Sequence, residues 1–483
     1  MNKTIRRASV FTLLLVLALL VRATWVQFYE GQALADSKDN RRNAIEQYAY
    51  PLGNIIVAGD AITGSAQTTG SDLKYKRTYT DGSLYAAVTG YSSQVFGATQ
   101  LEGVYQDLLD GTDNRLKDPL DTVTGKRADP GDVVTTIDPD VQKAAYNALG
   151  DKKGAAVAID PKTGKILGAV STPSYDPSVL SAGDSAAWKK LTKDPEKPMT
   201  NRALRQPLPP GSTFKLVVAA AALENDLYAS VDTKTDSPNP YTLPGTTRVL
   251  ENESKSAPCE NATIRVALQY SCNNVFAKMA VDLGQDKLKA MAEKFGFNDT
   301  SQDVPVRAYE SVYPSDMDRS STALTGIGQF DVTATPLQMA MVSATIANGG
   351  KLVSPHMVSQ ISDSDGNVLE NYDDSTDSTE IVSSSTAEQL RSAMQTVVEE
   401  GTGTNARISG ATVGGKTGTA QHGENNSQTP YAWFTSYAKD DSSGKEVAVA
   451  VLVEQSDAAR SEVSGNGLAA PVAKAMMRAA LKN

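Results

Sequence analysis

One stretch of the chain combines a serine and a lysine in a spacing that could support nucleophilic catalysis. Ser212 follows the turn Pro209-Pro210-Gly211, and Lys215 begins an apolar run that continues to Leu223. Residues i and i+3 share a helix face, so the hydroxyl and the amine can meet. Burial can keep a lysine neutral enough to activate a serine, and first-turn N–H groups favour an anion beside Ser212. The pattern indicates an activated serine, with a helix-capping serine beside an unrelated lysine as the alternative.

Two further patterns follow in the chain, Ser271-x-Asn273 and Lys416-Thr417-Gly418, the second continued by Thr419. None of the three patterns is specific by itself. Copies occur at Ser71–Lys74, Ser442–Lys445, Ser237–Asn239, Ser464–Asn466 and Lys162–Gly164. Context separates them, because one set alone places the serine at a buried helix start, the second pattern beside a helix and the third at a strand edge. Their joint occurrence in this order favours a single site.

The elements that must position these residues are strands on either side of a helical block. The predicted strands span 132–138, 154–160, 165–170, 432–438 and 447–454. Helices are predicted from Pro139 to Ala148, after Ser212, from about Thr263, from Thr335 and over 386–400, with a final helix at 469–481. This order predicts an α/β sandwich with a largely antiparallel sheet flanked by helices. A small mixed module of short strands and turns precedes it.

Composition narrows the possible functions. The 483 residues carry 46 basic and 56 acidic side chains, a net charge of −10. This balance argues against a nucleic-acid partner, which would need a basic face. Only His356 and His422 are present, so a histidine metal centre is not expected and lysine is the favoured base.

The N-terminus contains a candidate membrane anchor. Lys3, Arg6 and Arg7 precede an uncharged run over 8–21, and interfacial aromatics follow up to Tyr29. A helix of this length can cross a bilayer. The leading positive charges predict a cytoplasmic N-terminus and an extracytoplasmic remainder. A cleaved signal peptide ending near 33–35 is the alternative.

Cys259 and Cys272 are the only cysteines and would lie outside the membrane, where disulfides persist. We therefore expect them to be bonded, with two buried thiols as the alternative. Alkylation without reductant, read by mass spectrometry, distinguishes the two.

The three patterns together resemble the motif set of β-lactamases and penicillin-binding proteins. The chain resembles most the class B penicillin-binding proteins, in particular the actinobacterial penicillin-binding protein A group. Family-like stretches are 136–138, 163–167, Asn201-Arg202-Ala203 and Gly326-Ile327-Gly328-Gln329. One departure is Leu52-Gly53-Asn54-Ile55, where many class B members carry Arg-Gly-x-Ile.

This resemblance implies a division into a cytoplasmic tip and anchor (1–30), an N-terminal module (31–150) and a transpeptidase domain (151–483). It implies that Ser212 attacks the penultimate D-alanine of a stem peptide and forms an acyl-enzyme that a second stem's amine resolves. Lys215 would be the base, Ser271 the proton relay and Asn273 the residue that orients Lys215.

The resemblance further implies that Lys416, Thr417 and Thr419 hold the terminal carboxylate, while Gly418 lets the backbone pass close to the ligand. The N–H groups of Ser212 and Thr419 would form the oxyanion hole.

The expected reaction needs no metal or organic cofactor. The implied partners are stem peptides, lipid-linked precursors or nascent glycan, β-lactam inhibitors and a membrane glycan polymerase, since no glycosyltransferase-like domain is visible. The sequence leaves two rival functions open, a β-lactamase with water as acceptor and a non-catalytic sensor or scaffold. No glutamate for fast deacylation can be identified from spacing.

Overall fold

The computed structural model describes residues 3–30, 41–69, 72–117, 127–372, 377–423 and 426–482. Its strands are β1 Ile55–Val57, β2 Asp60–Ala61, β3 Thr63–Gln67, β4 Tyr75–Tyr79, β5 Ser92–Ser93, β6 Gly97–Ala98, β7 Asp132–Thr135, β8 Lys153–Ile159, β9 Ile166–Thr172, β10 Tyr241–Thr242, β11 Val249–Leu250, β12 Lys351–Val353, β13 Val358–Ser362, β14 Val368–Asn371, β15 Ser378–Glu380, β16 Ala411–Ala420, β17 Tyr431–Asp440 and β18 Glu446–Gln455.

The helices are α1 Lys3–Trp25, α2 Arg41–Gln47, α3 Gly82–Thr89, α4 Gln100–Val104, α5 Gln106–Asp110, α6 Pro139–Leu149, α7 Ser178–Ser181, α8 Ser185–Lys193, α9 Arg202–Arg205, α10 Lys215–Glu224, α11 Ile264–Gln269, α12 Asn273–Leu283, α13 Gln285–Lys294, α14 Arg319–Thr325, α15 Pro336–Ala347, α16 Ser384–Glu399 and α17 Ala470–Lys482. A 3₁₀ turn, Gly211–Phe214, leads directly into α10.

Helix α1 continues without a break through a wider turn, Val26–Glu30. The segment Lys3–Glu30 has a mean hydropathy of 2.1 over its most apolar window, and none of that window is buried. At its end, the Arg22 guanidinium pairs with the Glu30 carboxylate at 2.8 Å. Among the described residues, this is the one helix long and apolar enough to cross a membrane, as the sequence predicts.

The central sheet has the strand order β16-β17-β18-β8-β9, and every neighbouring pair is antiparallel. Successive side chains of a strand point to opposite faces. In β18, Val449 and Val451 therefore pack with α6 and α17, while Ala450 and Leu452 pack with the helices on the other face. Both faces are covered, which is why these strands read as apolar runs. The predicted antiparallel sheet flanked by helices is confirmed.

Helices α10 and α15 fill the layer beside the sheet. Every residue of α15 is buried, and in α10 the residues from Lys215 to Leu223 are buried too. α10 is rich in alanine, the strongest helix former, and contains no proline or glycine. Thr335 caps α15 by accepting a hydrogen bond from the Gln338 N–H at 3.1 Å, with Pro336 at the first helical position. The turn that carries Ser212 thus leads directly into a rigid core helix.

The strands of the N-terminal part join strands from far along the chain. The second five-stranded sheet has the order β14-β13-β7-β1-β2, with β1 parallel to β7 and β13 antiparallel to β7. Strands β13 and β14 come from residues 358–371, within the segment expected to be catalytic. The two parts of the chain are therefore interleaved through this sheet, and non-local pairing of this kind leaves no mark on local sequence pattern.

Candidate active site

The turn that carries Ser212 is held between two other backbone segments. Gly211 has φ +54°, a left-handed conformation that suits glycine, and its N–H donates to the Gly328 carbonyl at 3.0 Å. A Cβ on Gly328 would lie 2.0 Å from the Gly211 carbonyl oxygen, and one on Gly418 would lie 2.8 Å from the Pro210 carbonyl oxygen. Close packing at both glycines therefore fixes Ser212 between β16 and the loop at Gly328.

Lys215 lies at the centre of a buried hydrogen-bond network. Its amine donates to the Ser271 carbonyl at 2.8 Å, to the Asn273 Oδ1 at 2.8 Å and to the Ser271 hydroxyl at 3.3 Å. Within the described residues, the Ser212 side chain makes no hydrogen bond of its own, so the predicted meeting of hydroxyl and amine is not formed in this structure. The amine is held by the second motif, and the hydroxyl remains open toward the cavity.

Ser271 and Asn273 occupy the junction of two helices. The helix predicted from about Thr263 is α11, which ends at Gln269, so Ser271 lies in the turn beyond it and Asn273 begins α12. Ser271 has φ +59°, a conformation rare for a residue with a side chain and one that marks functional sites when the surroundings enforce it. Its hydroxyl accepts a hydrogen bond from the Lys416 amine at 3.0 Å. It therefore lies between two lysine amines.

The third motif lies on β16. Lys416 is fully buried and also donates to the Thr417 carbonyl at 2.9 Å, whereas the Thr417 hydroxyl bonds the Thr402 hydroxyl at 2.7 Å. Thr419 lies two residues further on the same strand face and lines the cavity with Ser212. A side chain at Gly418 would collide with the Pro210 carbonyl oxygen. The absence of a side chain there therefore makes room for the turn that carries Ser212, and not only for a ligand.

Burial sets the electrostatics of both lysines. It holds the pKa of Lys215 well below its ordinary value of 10.5, and the nearby Lys416 lowers it further. Burial also lowers the pKa of Lys416, to about 7, while the carboxylate of Glu253 acts in the opposite direction on both. Two amines in one dry site cannot both hold a proton easily, so one of them is available as a base.

The pKa of Lys416 predicts how the stability of the fold depends on pH. Between about 7 and 10.5 the unfolded chain holds this proton and the folded chain does not. The associated stability is therefore complete above pH 10.5 and is lost as pH falls toward 7, by up to about 1.4 kcal/mol per pH unit. The free energy of unfolding, measured with urea at pH 7, 8 and 9, should increase less with pH for Lys416→Met than for the unmodified chain. Equal slopes for the two proteins would contradict the assignment.

The three motifs meet at a cavity of about 610 Å³. Ser212, Asn273 and Thr419 line it, so the structure brings members of all three predicted patterns to one site. The rest of its wall comes from residues that sequence reasoning missed, Arg248, Val249, Leu250, Glu251, Asn252, Glu253, Leu324, Ile327, Gln329, Phe330, Gln421 and Asn426. Among them, the sequence indicated only Ile327 and Gln329, as members of the family-like segment Gly326–Gln329.

A loop-rich segment over 237–261, here called the strap, joins the second motif. Cys259 and Cys272 form a disulfide in the structure, so the middle residue of Ser271-x-Asn273 is covalently tied to the strap. Asn252 caps α12 by accepting from the Asn273 N–H at 2.6 Å. From α12, the Asn274 side-chain amide donates to the Cys259 carbonyl at 2.8 Å.

The copies of the motifs lie elsewhere. Ser442 lies in the turn between β17 and β18, where its hydroxyl donates to the Asp440 carboxylate at 2.6 Å. Lys162 lies in the turn between β8 and β9, Ser464 caps a C-terminal turn, and Ser237 lies buried on the strap. Ser71 is outside the described residues. Within the described ranges, no group of three or more His, Cys, Asp or Glu side chains could hold a metal ion.

Comparisons with known proteins agree with this geometry. Residues 154–478 match the penicillin-binding protein transpeptidase domain, and residues 52–133 match the penicillin-binding protein A dimerisation domain. The whole chain is 37% identical to peptidoglycan D,D-transpeptidase PbpA of Mycolicibacterium smegmatis, covering 99% of it. It is 36% identical to PbpA of Mycobacterium tuberculosis, again over 100% of this chain and 99% of that protein.

Solved structures extend the likeness to three dimensions. The ceftriaxone acyl-enzyme complex of penicillin-binding protein A from M. tuberculosis superimposes with a TM-score of 0.82 at 35% identity, over 90% of this chain and 100% of that one. The penicillin G acyl-enzyme complex gives 0.79 at 36% identity, over 89% and 99%. With its transpeptidase match and its full-length relatives, this chain belongs to the class B penicillin-binding proteins, the D,D-transpeptidase family.

Proposed function

We propose that this protein cross-links peptidoglycan stem peptides as a penicillin-sensitive D,D-transpeptidase, with Ser212 as its nucleophile. The observation that carries the proposal is the buried network under the cavity, in which Lys215 contacts Ser271 and Asn273 while Lys416 contacts Ser271. The acyl-enzymes of the M. tuberculosis structures support the same chemistry.

Acylation begins with proton transfer from Ser212 to Lys215. Burial and the neighbouring Lys416 both lower the pKa of Lys215 and so favour its neutral form, which can accept this proton. The Ser212 oxygen attacks the carbonyl of the penultimate D-alanine, and the backbone N–H groups of Ser212 and Thr419 stabilise the oxyanion. The proton then reaches the leaving D-alanine nitrogen through the Ser271 hydroxyl, which lies within hydrogen-bond distance of both lysine amines.

Binding of the donor uses the cation and hydroxyls of β16. The substrate's terminal carboxylate lies against Thr417 and Thr419, with the Lys416 ammonium behind them. An anion at this position favours the charged form of Lys416, whose pKa burial lowers to about 7. Substrate binding therefore favours the protonated form of Lys416, and that charge in turn holds the substrate's carboxylate.

The domain division, topology and partners extend the same proposal. Residues 1–30 form the cytoplasmic tip and anchor, 31–150 the N-terminal module and 151–483 the catalytic domain. The positive charges of Lys3, Arg6 and Arg7 support a cytoplasmic N-terminus and an extracytoplasmic active site. A membrane glycan polymerase supplies the nascent strands whose stems are joined.

The lifetime of the adduct with fluorescent penicillin tests this function against its rivals. A transpeptidase is expected to label and hold the adduct for minutes to hours, since its acyl-enzyme is resolved by an amine acceptor and not by water. Release within seconds would indicate a β-lactamase, and the absence of any adduct would indicate a non-catalytic scaffold. The measurement is a pulse of label followed by excess unlabelled penicillin and gel fluorescence.

A further inference from the structure

The strap places two carboxylates at the wall of the catalytic cavity. Glu251 and Glu253 line it together with Ser212 and Asn273. Both side chains are exposed, and no cationic side chain of the described part of the chain lies within 4.0 Å of either carboxylate. The donor's carboxylate does not explain two acidic groups here, because like charges repel.

The backbone segment that carries these two glutamates is hydrogen-bonded to the second motif. The Glu251 carbonyl accepts from the Asn273 side-chain amide at 2.9 Å. Between the two glutamates, Asn252 accepts from the Asn273 N–H at 2.6 Å and donates to the Asn274 Oδ1 at 3.0 Å. With the disulfide at Cys272, these contacts fix the segment against the residues that orient the base.

The charge pattern of the cavity matches the two substrates of the reaction. The buried lysines and Thr419 suit an anion, while the strap wall carries the carboxylates of Glu251 and Glu253 against the single guanidinium of Arg248, so acidic groups outnumber basic ones there. The acceptor is an amine, and free primary amines are mostly protonated at neutral pH. We propose that Glu253, with Glu251 beside it, binds the ammonium group of the acceptor stem; this rests on the proposed function.

The step that follows balances as a group transfer. The acceptor ammonium gives one proton to the neutral form of Lys215, which burial favours, and the resulting amine attacks the acyl carbonyl. A carbon–nitrogen bond forms, and the bond between the carbonyl carbon and the Ser212 oxygen breaks. The second proton on nitrogen returns to that oxygen through Ser271, and Lys215 releases the first to solvent. Glu253 binds and orients the acceptor and is not consumed.

Partition of the acyl-enzyme between two acceptors tests the proposal on the full chain in detergent. With a D-Ala-D-Ala peptide donor, transfer is measured to Nα-acetyl-lysine amide, which is charged, and to hydroxylamine, which is uncharged at neutral pH. Glu253→Gln is expected to raise the KM for the charged amine and to lower its transfer relative to hydroxylamine roughly three- to fivefold, as for a partly exposed ion pair. Glu251→Gln added to it should lower the ratio further.

Glu260→Gln is the matched control, because Glu260 is exposed on the same strap and does not line the cavity. This variant should show the same ratio of transfer to the charged amine over transfer to hydroxylamine as the unmodified chain. Equal losses toward both acceptors, or an altered pH profile of penicillin acylation with an unchanged ratio, would show that Glu253 acts through the lysines and would overturn the proposal. So would an unchanged KM. Failure of the unmodified chain to label with penicillin would instead remove the proposed function and the acceptor site with it.

Discussion

Ser212→Ala is expected to abolish covalent labelling by penicillin while the protein remains folded. The variant lacks the oxygen that we propose forms the acyl bond, and loss of a catalytic serine in serine hydrolases costs about 10⁶-fold in rate. The fold should tolerate the change because, among the described residues, the Ser212 side chain makes no hydrogen bond, and the turn is held by Gly211 and Gly328. Gel fluorescence after labelling measures the first effect and thermal unfolding the second.

Ser442→Ala is the matched control for this variant. Ser442 stands in the same Ser-x-x-Lys spacing but lies in an exposed turn at Asp440. The control should label at the unmodified rate. Persistent labelling of Ser212→Ala would move the nucleophile to another residue.

Lys215→Met is expected to slow acylation by about 10²- to 10⁴-fold, the usual contribution of a positioned general base. Methionine keeps an unbranched chain in a fully buried position and removes an amine whose charged form the site disfavours. The free energy of unfolding should therefore be retained or increased, as expected for an amine that is buried for catalysis at a cost in stability. Rates come from stopped-flow acylation and stability from urea unfolding.

The pH dependence separates a base from a merely structural lysine. In the unmodified protein, the acylation rate should fall as pH falls through the depressed pKa of Lys215, because the protonated amine cannot accept a proton. Lys215→Met should not show this fall in rate with decreasing pH, whereas Lys445→Met, in the turn that carries Ser442, should show it. If the fall persists in Lys215→Met, the base is another group, and Lys416 is the first candidate.

Much of the architecture could be predicted because it follows from local pattern. Alternating or continuous apolar runs predicted β8, β9, β17 and β18, and Thr335-Pro336 marked the start of the core helix α15. The exact junction at the second motif was harder to predict, since α11 ends at Gln269 and α12 begins at Asn273. Its position depends on packing that no local propensity reports.

The sequence by itself predicted the chemistry of this protein, because the joint occurrence of three short motifs in one order, and no motif alone, points to a nucleophile, a base and an anion clamp. Tertiary structure decided how they work together. Ser271 meets Lys215 and Lys416 across separations of 56 and 145 residues, and their burial lowers both pKa values. Tertiary structure also brought Glu253 to the cavity through the strap. Distance and burial are properties of the fold, so spacing along the chain could not reveal them.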